Sequence, residues 1–138
     1  MENCIFCKIA NGEIPAATLY EDENFRVILD LGPASKGHAL ILPKSHAANI
    51  YELSDEMAAK AMILAKKMAT AMTAALKCDG FNIVQNNGEC AGQTVFHFHM
   101  HIIPRYKGDS FEMKFNPGAI SDDEINELRE KIQRKMEL

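Results

Sequence analysis

Short apolar runs separated by polar breaks dominate the first third of the chain, a pattern typical of β-strands. Two short strands are predicted over residues 17–20 and 25–30, with a polar turn at 21–24 between them. A more continuous apolar run covers 37–43 and ends at Pro43, which has no N–H to donate to a strand ladder. The pattern therefore predicts three neighbouring strands, the third of them mostly buried.

The clearest predicted helix follows Ser54, a favourable N-cap residue. Asp55 and Glu56 stand in its first turn, where they suit the helix dipole, and Gly80 is a predicted stop signal. Apolar residues recur at spacings of three and four through Met57, Ala61, Leu64, Met68, Met72 and Leu76. Because lysines occupy the opposite face, we interpret this stripe as core packing and not as a methionine-rich binding surface.

The second half of the chain predicts two more strands, at 81–85 and 94–103, joined by a polar loop that contains glycine. An irregular tail follows, and Ser121 with Glu124 then forms a capping box. Helical spacing continues through Ile125, Leu128, Ile132 and Met136. We expect this charged last helix to pack on a surface of the domain or on a partner subunit. Together the elements predict an α+β fold built on an antiparallel sheet.

Composition narrows the possible functions. The chain has 138 residues, 47% hydrophobic and 25% charged, which suits one domain with a single core. Its net charge of −4, without any basic block, argues against a nucleic-acid partner. There is no basic leader with an apolar run and no segment of membrane-spanning length, so we expect a cytoplasmic protein without a membrane partner.

Three of the five histidines stand at alternate positions 97, 99 and 101. Because side chains alternate along a strand, these histidines share one face, and the intervening Phe98, Met100 and Ile102 share the other and point to the core. The outer pair is about 13 Å apart at Cα, so one metal ion cannot bind all three without a severe bend. The alternatives are surface histidines without a role and a row of imidazoles that binds and attacks an anion; strict alternation favours the second.

The loop before these histidines supports the anion interpretation. Gly88 and Gly92 allow close backbone approach, and backbone N–H groups can form a nest for phosphate oxygens. Neutral donors are available from Asn86, Gln93 and Thr94. The pair Asn87-Gly88 is also a common hairpin turn, and both interpretations can hold together.

Cys4 and Cys7 form a C-x-x-C pair, which is half of a zinc site. No strand precedes Cys4, so a thioredoxin-like redox pair is disfavoured. The alternative to zinc is a pair of free thiols packed beside the sheet.

The segment 97–103 matches the pattern His-φ-His-φ-His-φ-φ, where φ is apolar, and the match extends to several shorter motifs. These are Cys4-Ile5-Phe6-Cys7-Lys8-Ile9, Glu13-Ile14-Pro15, Asp30, Gly37-His38, Pro43-Lys44-Ser45-His46, Asn86-Asn87-Gly88 and Gly92-Gln93-Thr94. In these motifs the chain resembles the histidine-triad (HIT) family, and within it the small bacterial nucleoside-phosphoramidase-like proteins. We therefore expect one HIT domain over 1–138, with a motif-matched core at 4–107 and a C-terminal tail and helix at 108–138.

The resemblance implies a five-stranded antiparallel sheet with one long central helix, a short N-terminal helix and a C-terminal helix. It also implies a homodimer in which the sheet is continuous, and a nucleotide as substrate.

The resemblance further implies hydrolysis at the α-phosphate of nucleoside 5′-monophosphate derivatives such as adenosine phosphoramidates. His99 would be the nucleophile of a covalent nucleotidyl-histidine intermediate, and His101 would donate to the phosphate. Gln93 and Thr94 would hold phosphate oxygens and help protonate the leaving group; the family usually has serine where Thr94 stands. Transferase relatives have glutamine in place of the third histidine, so His101 favours hydrolysis.

The remaining expected contacts are also implied by the resemblance. Asp30 would accept the ribose hydroxyls, and Asn86 with Gly92 would border the ribose and phosphate. The base would lie against Phe6, Ile9, Ile28 and Leu31. A structural zinc ion would be held by Cys4, Cys7, His46 and His97. Two other functions stay open: a hydrolase of dinucleoside polyphosphates, and a nucleotide-binding or scaffold protein with vestigial catalysis.

Overall fold

The five strands form one antiparallel sheet in the order β1-β2-β3-β5-β4. The computed structural model describes residues 3–136. In chain order the elements are α1 (Ile5–Ala10), β1 (Thr18–Glu21), β2 (Phe25–Leu29), β3 (Ala39–Pro43), α2 (Asp55–Leu76), β4 (Gly80–Val84), β5 (Met100–Arg105) and α3 (Asp122–Lys135), with a 3-10 turn at Glu89–Ala91. The predicted α+β architecture, including its long central helix and its two terminal helices, is confirmed.

The two faces of the sheet are covered by different helices. On one face Val27, Ile41 and Ile102 pack under α2, whose Leu64 and Met72 are buried against them. The predicted stripe of α2 is therefore core. On the other face α1 covers a smaller apolar cluster of Ala10, Ile28, Leu40 and Leu42, with Phe6 and Ile9 packed against it. Since neighbouring residues of a strand point to opposite faces, β2 and β3 supply both layers.

The central helix ends by a different device from the predicted one. Lys77, not Gly80, takes the left-handed cap conformation at φ +55°, and its N–H donates to the carbonyl of Thr73 at 3.0 Å. Gly80 instead begins β4. The nearby Gly37 has φ +94°, and a Cβ there would lie 2.6 Å from Cδ1 of Leu76. Glycine thus lets the chain enter β3 close beside the end of α2.

The ladder of β5 begins at Met100, six residues later than the predicted start of this strand. Pairing with β3 runs only from Ala39↔Ile102 to Ile41↔Met100. Further along β3 stands Pro43, which has no N–H to donate. The backbone N–H of Phe98 bonds to the carbonyl of Ala47 instead, at 2.7 Å. The first part of the histidine segment therefore leaves the regular ladder and lies beside the end of β3.

The C-terminal helix begins as predicted. The hydroxyl of Ser121 accepts the N–H of Glu124 at 3.2 Å. Every residue of α3 is exposed, so its apolar stripe does not pack on its own domain. Among residues 3–136, no helix combines the length and the apolar character needed to cross a membrane.

Ile102→Ala should lower the free energy of unfolding by about 2–5 kcal/mol, because Ile102 is fully buried between β3, β4 and α2 and the truncation leaves a cavity. Leu31→Ala is the matched control: Leu31 is 94% exposed, and its truncation should change the value by less than about 0.5 kcal/mol. Urea unfolding followed by circular dichroism measures both, and equal losses would contradict this account of the core.

Candidate active site

The three histidines of the triad lie on the α1 face of the sheet, opposite the core under α2. Phe98, Met100 and Ile102 are buried in the α2 core, as the alternation predicts. His97 and His99 are buried, and His101 is half-buried. Phe6 of α1 stands edge-on to both buried rings, with its centroid 4.9 Å from that of His99. The structure thus makes a row of imidazoles that is covered at one end and open at the other.

The protonation of His99 follows from a single hydrogen bond. Its Nδ1 lies 2.8 Å from the carbonyl oxygen of His97, and a carbonyl can only accept. The proton of the neutral ring is therefore on Nδ1, and Nε2 carries an available lone pair. Burial lowers the pKa of His99 below its ordinary value, which favours this neutral form. An imidazole in this state is a nucleophile.

His101 has the opposite arrangement, and a fourth histidine sets it. The N–H of Ala34 donates to Nδ1 of His38 at 3.0 Å, so the proton of His38 is on Nε2. That Nε2 lies 2.9 Å from Nδ1 of His101, which must accept. His101 therefore carries its proton on Nε2, as a donor. Burial lowers the pKa of His101 to about 4, which keeps the ring neutral near pH 7.

Sequence reasoning assigned no role to His38. It stands just before β3 and is buried. Its partner His101 is 63 positions away in the chain, and only the pairing of β3 with β5 brings the two together. The available signal was a fourth histidine next to a strand predicted to be buried, but the order of the strands was needed to interpret it.

The glycine loop is closed by Gln93, which is only 2% exposed. The N–H of Gly88 donates to the side-chain oxygen of Gln93 at 2.8 Å, and the N–H of Gln93 donates to the carbonyl of Gly88 at 3.0 Å. The side-chain nitrogen of Gln93 donates to the carbonyls of Ala48 and Val95. A phosphate oxygen could bond to this amide only in exchange for one of those carbonyls.

The neighbours of Gln93 leave the loop open to a ligand. Thr94 is exposed. Gly92 has φ +98°, and a Cβ there would stand 3.6 Å from the side-chain nitrogen of Asn86, at van der Waals distance. Asn86 and Gly92 thus lie side by side at the loop, as their predicted role beside the ribose and phosphate requires.

The residues predicted to bind the nucleoside divide into three environments. Asp30 is half-buried; its Oδ1 accepts the N–H of Gly32 at 2.8 Å, and its Oδ2 lies 3.7 Å from Nε2 of His38. Phe6, Ile9 and Ile28 belong to one apolar cluster, in which Ile28 is buried and the other two are partly accessible. Leu31, at the end of β2, is uncovered.

Cys4, Cys7, His46 and His97 converge at the buried end of the row. The Nδ1 of His97 lies 3.4 Å from each sulfur and 3.2 Å from Nδ1 of His46, and the Sγ of Cys7 lies 3.3 Å from that same nitrogen. Tetrahedral zinc with bonds of 2.0–2.3 Å has ligand separations of about 3.3–3.8 Å. The Nε2 of His97 donates to the carbonyl of Pro43 at 2.8 Å, which leaves Nδ1 free for a metal. The four residues fit a closed zinc site.

Asp30, His38 and His101 also bring three possible ligand atoms within 4.8 Å of one another. Here the donor set does not fit a metal, because the N–H of Ala34 occupies Nδ1 of His38 and holds the ring proton on Nε2. An ion at Nε2 would force that proton onto Nδ1, against the backbone N–H. This second cluster is therefore a hydrogen-bond relay.

The model of the HIT domain matches residues 11–108 of the chain. The chain belongs to the HIT family.

Relatives of known name cover most of the protein. "Protein hit" of Bacillus subtilis is 52% identical over 111 residues, 80% of this chain and 77% of its own length. The adenosine 5′-monophosphoramidase hnt1 of Schizosaccharomyces pombe is 43% identical over 135 residues, 97% of this chain and 98% of its own length. Both relatives extend the match beyond the histidine motif.

Solved structures of this HIT protein's relatives confirm its fold. SMU.412c from Streptococcus mutans matches with a TM-score of 0.95 at 42% identity, over 99% of this chain and 87% of that one. A structure described as a Zn-bound histidine triad family protein from Mycobacterium smegmatis matches with a TM-score of 0.77 at 36% identity, over 97% of this chain and 96% of that one.

The buried imidazoles make stability depend on pH. Because the pKa of His101 is about 4 in the folded protein and ordinarily near 6.5, the unfolded chain binds its proton first as the pH falls. Neutral, buried His101 therefore contributes to the free energy of unfolding fully above pH 6.5. Between about pH 6.5 and 4 this contribution, on the order of 3 kcal/mol, is lost. His101→Gln should therefore show a shallower fall in unfolding free energy than the wild type across this range.

Urea titrations at several pH values measure both proteins. Glutamine shifts the whole curve by the hydrogen bonds that it gains or loses, whereas only the slope reports the titration of His101. Parallel curves for the two proteins would contradict the assignment of a neutral, buried His101.

Proposed function

We propose that this HIT protein hydrolyses nucleoside 5′-phosphoramidates, with adenosine as the nucleoside, through a covalent nucleotidyl-histidine intermediate on His99. The observation that carries the proposal is the complementary protonation of two adjacent imidazoles. His99 presents a lone pair on Nε2, and His101 presents a proton on Nε2, with ring centroids 5.0 Å apart. A phosphate between them meets a nucleophile and a donor at the same time.

In the first step Nε2 of His99 forms a bond to the α-phosphorus and the phosphorus–nitrogen bond to the leaving amine breaks. The ring becomes positively charged, and the carbonyl of His97 stabilises it by accepting from Nδ1. His101 stays neutral and donates to a phosphate oxygen. The leaving nitrogen takes a proton from solvent, relayed by the exposed hydroxyl of Thr94.

In the second step water attacks the phosphorus, the bond to His99 breaks, and the products are the nucleoside monophosphate and a proton. Nothing is oxidised or reduced. The intact His101 supports water as the acceptor, in line with the family pattern in which transferases have glutamine at this position. Gln93 contributes by closing the loop from Gly88 to Thr94, so that the backbone faces the phosphate in one conformation.

Recognition of the nucleoside rests on the end of β2 and on α1. The carboxylate of Asp30 offers two oxygens to the ribose diol, and Phe6 and Ile9 offer an accessible apolar surface to the base. Leu31 is uncovered, and a bound base would cover part of it. The S. pombe relative, named an adenosine 5′-monophosphoramidase, supports an adenosine substrate.

We also propose that Cys4, Cys7, His46 and His97 hold a structural zinc ion. Four protein ligands leave no open position, so the ion would join α1 to the histidine segment and take no part in the chemistry. Burial raises the pKa of the Cys7 thiol, and a cation would offset the cost of a buried thiolate. The Zn-bound relative from M. smegmatis supports the assignment.

We propose also that two copies of the chain form a homodimer in which the sheet is continuous. β4 is an edge strand of the sheet, and its Ile83 is exposed. An edge strand with an exposed apolar residue can pair with the same strand of a second copy.

His99→Ala should lower kcat/KM for an adenosine 5′-phosphoramidate by roughly three orders of magnitude or more, because His99 presents the Nε2 lone pair that attacks the phosphorus. The variant should still bind AMP, since Asp30 and the loop are unchanged. Continuous assay of released amine and titration with AMP give the two values, and mass spectrometry of quenched wild type should find the nucleotide on His99.

Diadenosine polyphosphate, tested in parallel, decides between the two substrate classes. If that compound is turned over faster, the substrate class is the dinucleoside polyphosphates and not the phosphoramidates. AMP binding with no turnover of either compound would favour the vestigial scaffold, and activity of His99→Ala equal to wild type would exclude the mechanism.

Cys4→Ser should lose most of the zinc that copurifies with the wild type, and its unfolding midpoint should fall, because one of four ligands is weakened. Cys90→Ser is the matched control: Cys90 is exposed on the 3-10 turn and is not one of the four clustered residues, so its replacement should leave the zinc content unchanged. Elemental analysis of protein purified without added zinc measures both. Equal metal content in all three proteins would exclude this site.

A further inference from the structure

The C-terminal helix α3 lacks a partner in its own chain. All of its residues are exposed, and within residues 3–136 no hydrogen bond or ion pair joins it to another element. A helix of 14 residues is marginal in water without tertiary packing. Its apolar side chains Ile125, Leu128 and Ile132 nevertheless form one stripe at spacings of three and four. Packing of this apolar stripe against another surface would therefore stabilise the helix.

Charge along α3 is divided into two halves. The N-terminal half is acidic, with Asp122, Asp123, Glu124 and Glu127 and no basic residue. The C-terminal half is basic, with Arg129, Lys131, Arg134 and Lys135 against the single Glu130. Each sign also suits the dipole at its own end of the helix. The dipole explains charges in the first and last turns but not the basic residues at the centre of the helix.

We propose that α3 pairs antiparallel with α3 of a second copy of this chain. An antiparallel arrangement places the acidic half of each helix beside the basic half of the other and brings the two apolar stripes together. The pair has two-fold symmetry, so every favourable contact occurs twice. A parallel pair would bring like charges together.

The lysine face of α2 is less complementary to α3 than a second copy of α3 is. Lys60, Lys66 and Lys67 are exposed there, and the groove beside Ile63 and Thr70 has a volume of about 410 Å³. These lysines would attract the acidic half of α3 but repel its basic half. A complementary surface needs a basic region opposite the acidic half of α3 and an acidic region opposite its basic half. An antiparallel second α3 has both.

The segment between β5 and α3 is attached to the domain only in its first part. Arg105 donates to both oxygens of Asp109, and the hydroxyl of Tyr106 donates to the carbonyl of Lys36 at 2.7 Å. Arg105 also donates to the carbonyl of Phe111, so the tail is fixed to the sheet as far as residue 111. Residues 112–121, which connect this point to α3, are exposed and form no helix or strand.

Zero-length cross-linking of the full-length protein tests the pairing. A carbodiimide joins a carboxylate to an amine only when the two groups touch. Asp123 and Lys135 of one helix are about 18 Å apart along its axis, so an amide between them must connect two chains. Cross-linking a mixture of unlabelled and ¹⁵N-labelled protein should give this amide as mixed light–heavy peptides. Covalent capture is chosen because three apolar side chains per helix give a small contact area.

Two results would overturn the proposal. The first is a product that joins the α3 carboxylates to Lys60, Lys66 or Lys67, which would place α3 on the partner's α2. The second is the absence of any mixed product that joins Asp122 or Asp123 to Lys135 at concentrations where the protein self-associates. Neither result depends on the proposed enzymatic function.

Charge variants give an independent readout. Asp122→Lys with Asp123→Lys cancels the net negative charge of the acidic half of α3, and Arg134→Glu with Lys135→Glu reverses the net charge of its basic half. Each variant alone should self-associate less strongly than the wild type in analytical ultracentrifugation at low salt, and an equimolar mixture of the two should regain the association of the wild type. Because both variants also weaken the helix itself, only recovery on mixing reports the pairing, and failure to recover would contradict it. Hydrolysis should be unchanged in both.

Discussion

The site depends on the burial of three apolar side chains that alternate with the histidines. Phe98, Met100 and Ile102 lie in the core beneath α2, and their burial stabilises the domain by several kcal/mol in total. Since successive side chains of an extended chain point to opposite faces, this burial places all three imidazoles on the α1 face. A shift of one residue would place the histidines in the core, at a cost that the fold could not offset.

Backbone groups then give each imidazole a different state. The carbonyl of Pro43 holds the proton of His97 on Nε2, and the carbonyl of His97 holds that of His99 on Nδ1. The N–H of Ala34 acts on His101 through His38. Three chemically identical side chains thereby differ: His97 presents a lone pair to two thiols, His99 presents a lone pair on Nε2, and His101 presents a proton on Nε2. Burial keeps the rings neutral, so that these states persist near pH 7.

The segment that contains His97 lies outside the regular ladder of the sheet, and its contacts with β3 differ from strand pairing. Pro43 ends the backbone pairing of β3 with the histidine strand and offers its carbonyl to His97 instead. On the opposite side of the row α1 and its N-cap residue Cys4 contribute a ring against His99 and two sulfurs beside His97. The histidine row and the proposed zinc site therefore share one helix, and loss of the metal ligands would disturb His99, the proposed nucleophile, through Phe6.

Patterns local in the sequence determined much of the protein. The apolar stripe of α2, the caps at Ser54 and Ser121, the alternation around the triad and the half site at Cys4 and Cys7 each depend on residues within a few positions of one another. The end of α2 at Lys77 was not predictable in this way, because a lysine adopts a left-handed cap only where the surrounding structure stabilises it. Tertiary structure alone decided the role of His38, the closure of the loop by Gln93 and the convergence of His46 with the cysteines. The physical reason is that these contacts join segments separated by many positions, and their geometry exists only once β3 and β5 lie side by side.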